Sequence, residues 1–167
     1  ERTHTPRTLK MIEVAGIPVV ELMDSVSPCL DIAVGFDNFE AARQMTAAIL
    51  KCGKQNVAYL GARLDERTIM KQQGYEQAMR DAGLTPYSVM AEQSSSYSSG
   101  IELFRPARRE SPQLNGILME PKLASVLTPR ERMGRIGAER LLARIRGETI
   151  TPKMLDLGFT LSPGGSI

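Results

Sequence analysis

The chain has 167 residues, of which 42% are hydrophobic, enough for one ordinary domain or two small lobes with a core. Lys and Arg total 21 against 19 Asp and Glu, so the segment has no general electrostatic preference for nucleic acid. One histidine and two cysteines in no metal-ligand spacing argue against a zinc site or a histidine-based catalytic triad. We therefore expect no metal, no cofactor and no enzymatic activity.

The first third of the chain alternates helices and strands. Thr5 and Pro6 suit the N-cap and N1 positions of a short helix that ends before Gly16. Residues 17–22 and 30–36 read as buried strands, and the second of them leads through Asp37 into a helix over residues 38–52. A strand that ends at a helix N-terminus is where open α/β sheets place ligands. Asp37 therefore either accepts hydroxyl groups of a ligand or holds its own turn.

The alternation continues to the C-terminus. Asp65 is placed to cap a helix that ends at Gly83, and Thr128-Pro129-Arg130-Glu131 has the form of a capping box. The other predicted elements are strands at residues 56–60, 87–92 and 114–119, helices at 98–110 and 129–146, and final strands within 154–161. Regular alternation of strands and helices predicts an α/β fold with parallel sheets and right-handed crossovers.

Five motifs, in one order, resemble the regulatory core of lactose-repressor-family transcription factors. They are Gly16-Ile17-Pro18-Val19-Val20, Val34-Gly35-Phe36-Asp37-Asn38, Val57-Ala58-Tyr59-Leu60-Gly61, Gly74-Tyr75 with Ala78-Met79, and Ala138 with Leu141-Leu142 and Gly147-Glu148. Within this family, residues 62–74 and 156–167 are most similar to repressors of gluconate utilisation. The resemblance implies a periplasmic-binding-protein-like fold: two lobes, each with a parallel sheet flanked by helices and connected by hinge crossings.

The resemblance also implies where the lobes divide. We expect residues 1–84 in the N-terminal lobe, which is incomplete at its start, and residues 85–127 and 148–167 in the C-terminal lobe. Residues 128–147 are expected to form a helix that returns to the N-terminal lobe. Hinge crossings are expected at Thr85 and Pro86 and at Thr128 and Pro129, since a few crossing residues absorb closure in such folds.

The sequence departs from the family at two places. The family's helix-turn-helix, opening strand and first helix do not precede Glu1, so DNA contact is expected outside this segment. A strand–helix–strand unit of about 30 or more residues is absent near Ile117 and Leu118. Either the chain lacks this unit, or its residues are missing from the sequence as numbered.

The resemblance assigns the effector site to two further groups of residues. The family has an arginine where this chain has Lys71, and Arg67 lies one turn earlier; two cations suit a sugar acid better than a neutral sugar. These cations are otherwise ordinary solvent-facing charges. Ser95 and Ser96 lie near the position where the family often has an aromatic residue, and their hydroxyls suit an acyclic polyol. Tyr97 either lines the same site or covers the next helix. Alternatively, this serine-rich segment is a turn that caps the next helix.

The resemblance implies an effector-binding and dimerisation domain of a cytoplasmic DNA-binding repressor. It would sense a sugar acid, gluconate, and change operator affinity through lobe closure. The expected partners are the effector, a second copy of the chain, and operator DNA through the helix-turn-helix. The alternative is a periplasmic sugar-binding protein that serves a transporter. No apolar run of membrane-spanning length is present, and no membrane partner is expected.

Overall fold

The computed structural model describes residues 5–25, 28–92, 97–118 and 125–162, with residues 97–99 and 118 described by their backbone alone. It confirms the α/β fold. The elements follow in the order α1 (Pro6–Ala15), β1 (Val20–Leu22), β2 (Ile32–Gly35), α2 (Asn38–Lys51), β3 (Val57–Ala62), α3 (Glu66–Asp81), β4 (Tyr87–Ala91), α4 (Tyr97–Glu110), β5 (Gly116–Leu118), β6 (Ser125–Leu127), α5 (Arg130–Ile145), β7 (Met154–Asp156) and β8 (Thr160–Ser162).

The chain forms two compact units. The N-terminal unit contains Arg2–Asp37 and Leu127–Thr160, and the C-terminal unit contains Asn38–Val126 and Leu161–Ile167. Within the described residues the chain passes between units at three points, and two of these points lie within the paired strands β6 and β8.

This division corrects the predicted boundary at residues 84 and 85. Residues on both sides of that boundary belong to one sheet, because β3 and β4 pair in parallel from Ala58 and Tyr87 to Ala62 and Ala91. Thr85 and Pro86 therefore lie in the loop between α3 and β4, inside the C-terminal unit, and not at a point where the chain passes between units. Helix α5, which follows residue 128, lies in the N-terminal unit.

The N-terminal unit is built on a parallel sheet of order β1-β2-β7. Every residue of β2 is buried, as expected for a central strand with neighbours on both sides. Helix α5 packs on β1 through Gly137, where a Cβ atom would lie 2.8 Å from a methyl carbon of Leu22. The absence of a side chain at Gly137 lets this helix approach the Leu22 side chain of β1 closely.

The C-terminal unit is built on a parallel sheet of order β4-β3-β5. Alternate residues of β3 face two different cores. Val57 and Tyr59 pack with Met45 and Ile49 of α2 and with Tyr75 and Met79 of α3. Ala58 and Leu60 pack with Leu103 and Ala107 of α4. Helices thus cover both faces of the central strand.

The position from which the strand–helix–strand unit is absent lies within β5. Ile117 and Leu118 are consecutive residues of β5, and they pair with the consecutive residues Ala58 and Tyr59 of β3. The parallel pairing of β5 with β3 therefore extends across the position where the sequence departs from the family.

Most helix ends agree with the sequence prediction. Thr5 caps α1, with its hydroxyl oxygen accepting the N–H of Thr8 at 3.2 Å, and Gly16 ends the helix in the left-handed region. The predicted capping box at Thr128 is wrong: α5 begins only at Arg130, after Pro129, and no side chain caps it. The Thr128 carbonyl instead accepts the N–H of Arg130 at 2.8 Å, which forms a turn before the helix.

Candidate functional site

The carboxyl edge of the N-terminal sheet carries a compact turn after β1. Met23, the first residue after the strand, has a φ of 80°, in the left-handed region that side chains rarely adopt. Its N–H donates to the Val34 carbonyl of β2 at 3.1 Å, which holds the turn against the neighbouring strand. Such a conformation costs on the order of 1–3 kcal/mol and is concentrated at functional sites.

Gly35, the last residue of β2, allows the turn after β1 to pack closely. A Cβ atom on Gly35 would overlap the backbone nitrogen and carbonyl of Asp24. Only glycine leaves room for this approach. Ser25, which follows Asp24, is buried, and its hydroxyl oxygen has no hydrogen-bond partner. The turn thus brings a buried, unpartnered hydroxyl to the carboxyl edge of the sheet.

Asp37 lies at the same edge, two residues after β2, and is half-buried. Its neighbour Phe36 is buried and makes an edge-to-face contact with Phe159, with the ring centroids 6.3 Å apart. The Leu157 N–H donates to the Gly35 carbonyl at 2.9 Å. These contacts join the segments that follow β2 and β7, so Asp37 stands on a supported edge where the sequence predicted a ligand-binding residue.

The C-terminal unit has a similar turn after β3. Arg63, the first residue after the strand, has a φ of 64°, and its N–H donates to the Ala91 carbonyl of β4 at 2.9 Å. Met23 and Arg63 are the non-glycine residues with positive φ within the described ranges. Each directly follows a strand at the carboxyl edge of its own sheet. The two units therefore use the same strained geometry at the edge where α/β sheets bind ligands.

Asp65 caps α3 as predicted. One of its carboxylate oxygens accepts both the N–H and the hydroxyl of Thr68 at 2.9 Å, and the other lies 3.3 Å from the Arg67 guanidinium. Burial alone would raise the pKa of this carboxyl group, but the Thr68 hydrogen bonds and the Arg67 charge outweigh burial and lower it. Asp65 is therefore a charged cap at the start of the helix.

The two predicted effector-binding cations lie on α3, but in different settings. Arg67 is paired with Asp65, so part of its charge is neutralised within the first turn of the helix. Lys71 follows one turn later and is half-buried. Arg67 therefore belongs to the helix cap, and effector binding by Arg67 and Lys71 stays a prediction.

The remaining predicted residues are three in the serine-rich segment and two at the second predicted hinge. Ser95 and Ser96 lie outside the described residues, and Tyr97 is described as the first residue of α4 by its backbone alone. Thr128 and Pro129 lie just beyond the crossing between Val126 and Leu127, so a hinge there stays a prediction. Sequence reasoning missed Met23, Ser25 and Arg63, because nothing in these residue types indicates a left-handed backbone or an unpartnered hydroxyl.

No group of three or more His, Cys, Asp or Glu side chains could hold a metal ion in the part of the chain that the structure describes. Over the same residues, no helix is both long and apolar enough to cross a membrane.

Two parallel sheets are flanked by helices, and the carboxyl ends of their strands form edges of the kind at which α/β proteins bind ligands. This arrangement is that of a binding domain of the periplasmic-binding-protein type. A family model described as periplasmic binding proteins and sugar binding domain of LacI family matches residues 1–118. The chain therefore belongs to this family, and the predicted family is confirmed. The match ends at β5, the strand at which the strand–helix–strand unit is absent.

Known relatives are transcriptional regulators. The chain is 70% identical over 205 positions to the HTH-type transcriptional regulator GntR of Escherichia coli K12, and 32% identical over 206 positions to IdnR of the same organism. Each alignment covers 100% of this chain and 62% of the relative. The solved structure of transcription regulator GntR from Chromobacterium violaceum superposes with a TM-score of 0.86 at 25% identity, covering 97% of this chain and 74% of that one.

These relatives favour a regulatory ligand-binding domain over the transporter alternative. They also bear on the absent unit. The alignment with E. coli GntR spans 205 positions and this chain has 167 residues, so at least 38 positions (205 − 167) have no counterpart here. A gap of this length matches the predicted loss of one strand–helix–strand unit.

Proposed function

We propose that this chain is the effector-binding core of a cytoplasmic transcriptional repressor that senses a sugar acid, gluconate. The 70% identity to E. coli GntR over the whole chain is the observation that carries this proposal. The chain spans 62% of the length of that relative, so the regulator's remaining activities are proposed for a longer protein. Operator DNA would bind through a helix-turn-helix domain, and the regulator would act as a homodimer.

The charges of two predicted site residues support a polyhydroxylated acid as the effector. Lys71 of α3 is a cation that suits a carboxylate, and Asp37, which follows β2, is an acceptor for hydroxyl groups. We infer that gluconate binding changes operator affinity by favouring one arrangement of the lobes. A ligand with equal affinity for both arrangements would shift nothing.

Isothermal titration of the purified chain with gluconate, glucose and ribose tests the effector assignment. We expect gluconate to bind most tightly, since it alone of the three carries a carboxylate. Tighter binding of glucose or ribose would contradict the assignment. A matched chain with the absent positions of E. coli GntR inserted between Ile117 and Leu118 shows how much affinity the strand–helix–strand unit contributes. We expect the insertion to increase the affinity for gluconate and to leave the order of the three ligands unchanged.

A further inference from the structure

Two buried hydroxyl groups lack hydrogen-bond partners in the described part of the chain, those of Ser25 and Ser88. A buried polar group without a partner is unfavourable, and native proteins retain few of them. Ser88 lies within β4, where it pairs in register with Tyr59. Ser25 instead follows β1 at the carboxyl edge of the N-terminal sheet, which is an edge suited to ligand binding.

The segment that carries Ser25 is held in place by two independent features. Met23 adopts a left-handed backbone and is hydrogen-bonded to Val34 of the neighbouring strand. Asp24 packs its backbone against Gly35 at a distance that excludes any side chain at that position. The chain thus keeps a strained turn and a close backbone approach at this position. The Ser25 hydroxyl that they bury makes no hydrogen bond that would stabilise the fold.

We propose that the Ser25 hydroxyl binds a hydroxyl group of the polyol effector. The inference rests on the proposed function and adds a binding residue to it. A serine hydroxyl both donates and accepts one hydrogen bond, so it matches a sugar-acid hydroxyl in either direction. Gly35 acts as a positioning residue, because a side chain there would displace Asp24 and with it Ser25.

Two matched serine-to-alanine variants test this inference. Gluconate affinity is measured by isothermal titration and stability by urea unfolding, for the wild-type chain, Ser25→Ala and Ser88→Ala. We expect Ser25→Ala to weaken gluconate binding about three- to tenfold, the effect of one lost hydrogen bond. Its urea midpoint is expected to equal or exceed that of the wild type, since the unliganded fold loses no bond. Ser88→Ala is expected to retain wild-type affinity.

The outcomes separate this inference from the proposed function. Wild-type affinity in Ser25→Ala would overturn the inference, because the hydroxyl would then make no contact with the effector. A lower urea midpoint in Ser25→Ala would also overturn it, by showing that the hydroxyl has a structural partner. Equal loss of affinity in both variants would show that neither effect is local to the binding edge, and would overturn the inference as well. A wild-type chain that binds no gluconate would overturn the proposed function and the effector assigned to Ser25 with it.

Discussion

The phenol oxygen of Tyr75 in α3 accepts a hydrogen bond from the backbone N–H of Tyr87 at 2.8 Å. The same hydroxyl lies 2.8 Å from the carbonyl oxygen of Val57, to which it can donate its proton. Val57 and Tyr87 are the first residues of β3 and β4. One buried side chain therefore ties the starts of two parallel strands to the helix that connects them.

Replacing Tyr75 by phenylalanine is expected to destabilise the chain by about 1–3 kcal/mol, because a buried N–H and a buried carbonyl lose their shared partner. Urea unfolding measures the change. Tyr87→Phe is the control, since the Tyr87 hydroxyl bonds to Glu110 at 2.7 Å in an exposed setting, and we expect its effect to stay within about 0.5 kcal/mol. Equal losses in the two variants would show that the Tyr75 hydroxyl makes no special contribution.

Stability at alkaline pH should depend on the same side chain. Burial raises the pKa of Tyr75 from 10.0 to about 12. Between pH 10 and 12 the folded chain keeps the Tyr75 proton that the unfolded chain releases. The stability that the protonated Tyr75 hydroxyl contributes is therefore complete below pH 10 and is lost as pH rises toward 12. We expect the stability difference between wild type and Tyr75→Phe to shrink over this interval, measured by urea unfolding at several pH values. A constant difference would contradict the raised pKa.

An ion pair on α2 should act at the opposite end of the pH scale. The Arg43 guanidinium approaches both carboxylate oxygens of Glu40 at 2.7 Å, and Gln44 donates to one of them at 2.8 Å. The hydrogen bonds from Arg43 and then Gln44 lower the pKa of Glu40 from 4.5 to about 2. The stability that the ionised Glu40 carboxylate contributes to the folded chain is present above pH 4.5 and is lost as pH falls toward 2.

The pair is partly exposed, so Glu40→Gln is expected to cost only about 0.5 kcal/mol at pH 7. Most of this cost should disappear near pH 2, where about half of the Glu40 carboxylate is protonated in the folded wild-type chain. Unfolding curves of the two chains at pH 7, 4 and 2 measure it. A cost that persists unchanged at pH 2 would mean that the lost interaction is not ionic.

The crossing of α2 and α3 depends on Gly74. A Cβ atom there would overlap the Phe39 carbonyl oxygen and would lie 3.1 Å from the backbone nitrogen of Arg43. Because these are backbone atoms, they cannot move without shifting the helix. Gly74→Ala is therefore expected to destabilise the chain by about 1–3 kcal/mol or more.

Gly134 provides the matched control, since it lies in α5 and a Cβ atom there would meet nothing within 4 Å. Alanine has the better helix propensity, so Gly134→Ala should stabilise the chain by about 0.5–1 kcal/mol. Thermal unfolding of both variants tests the pair. The same sign of change in both would show that helix propensity, and not helix packing, decides the outcome at Gly74.

The features that sequence predicted correctly are those set by neighbouring residues. Thr5 and Asp65 cap their helices because each accepts an N–H only three residues away. The division into units is different: Asp37 and Asn38 are adjacent in sequence but belong to separate units, which only long-range packing determines. The strained turn at Met23 likewise depends on Gly35, 12 residues along the chain, and no local signal marks it.

Lys71 is the cation on which the sugar-acid assignment depends most directly. Lys71→Met removes the charge but keeps most of the side chain, and it is expected to weaken gluconate binding by about 1–3 kcal/mol, the value of a lost charge-assisted hydrogen bond. Lys71→Arg keeps the charge and should retain binding. Lys51→Met, at the exposed end of α2, is the control and should leave the affinity unchanged. Isothermal titration of the three variants measures the differences. If Lys71→Met binds gluconate as tightly as the wild type does, the carboxylate is held elsewhere, and the cation of α3 serves the fold and not the effector.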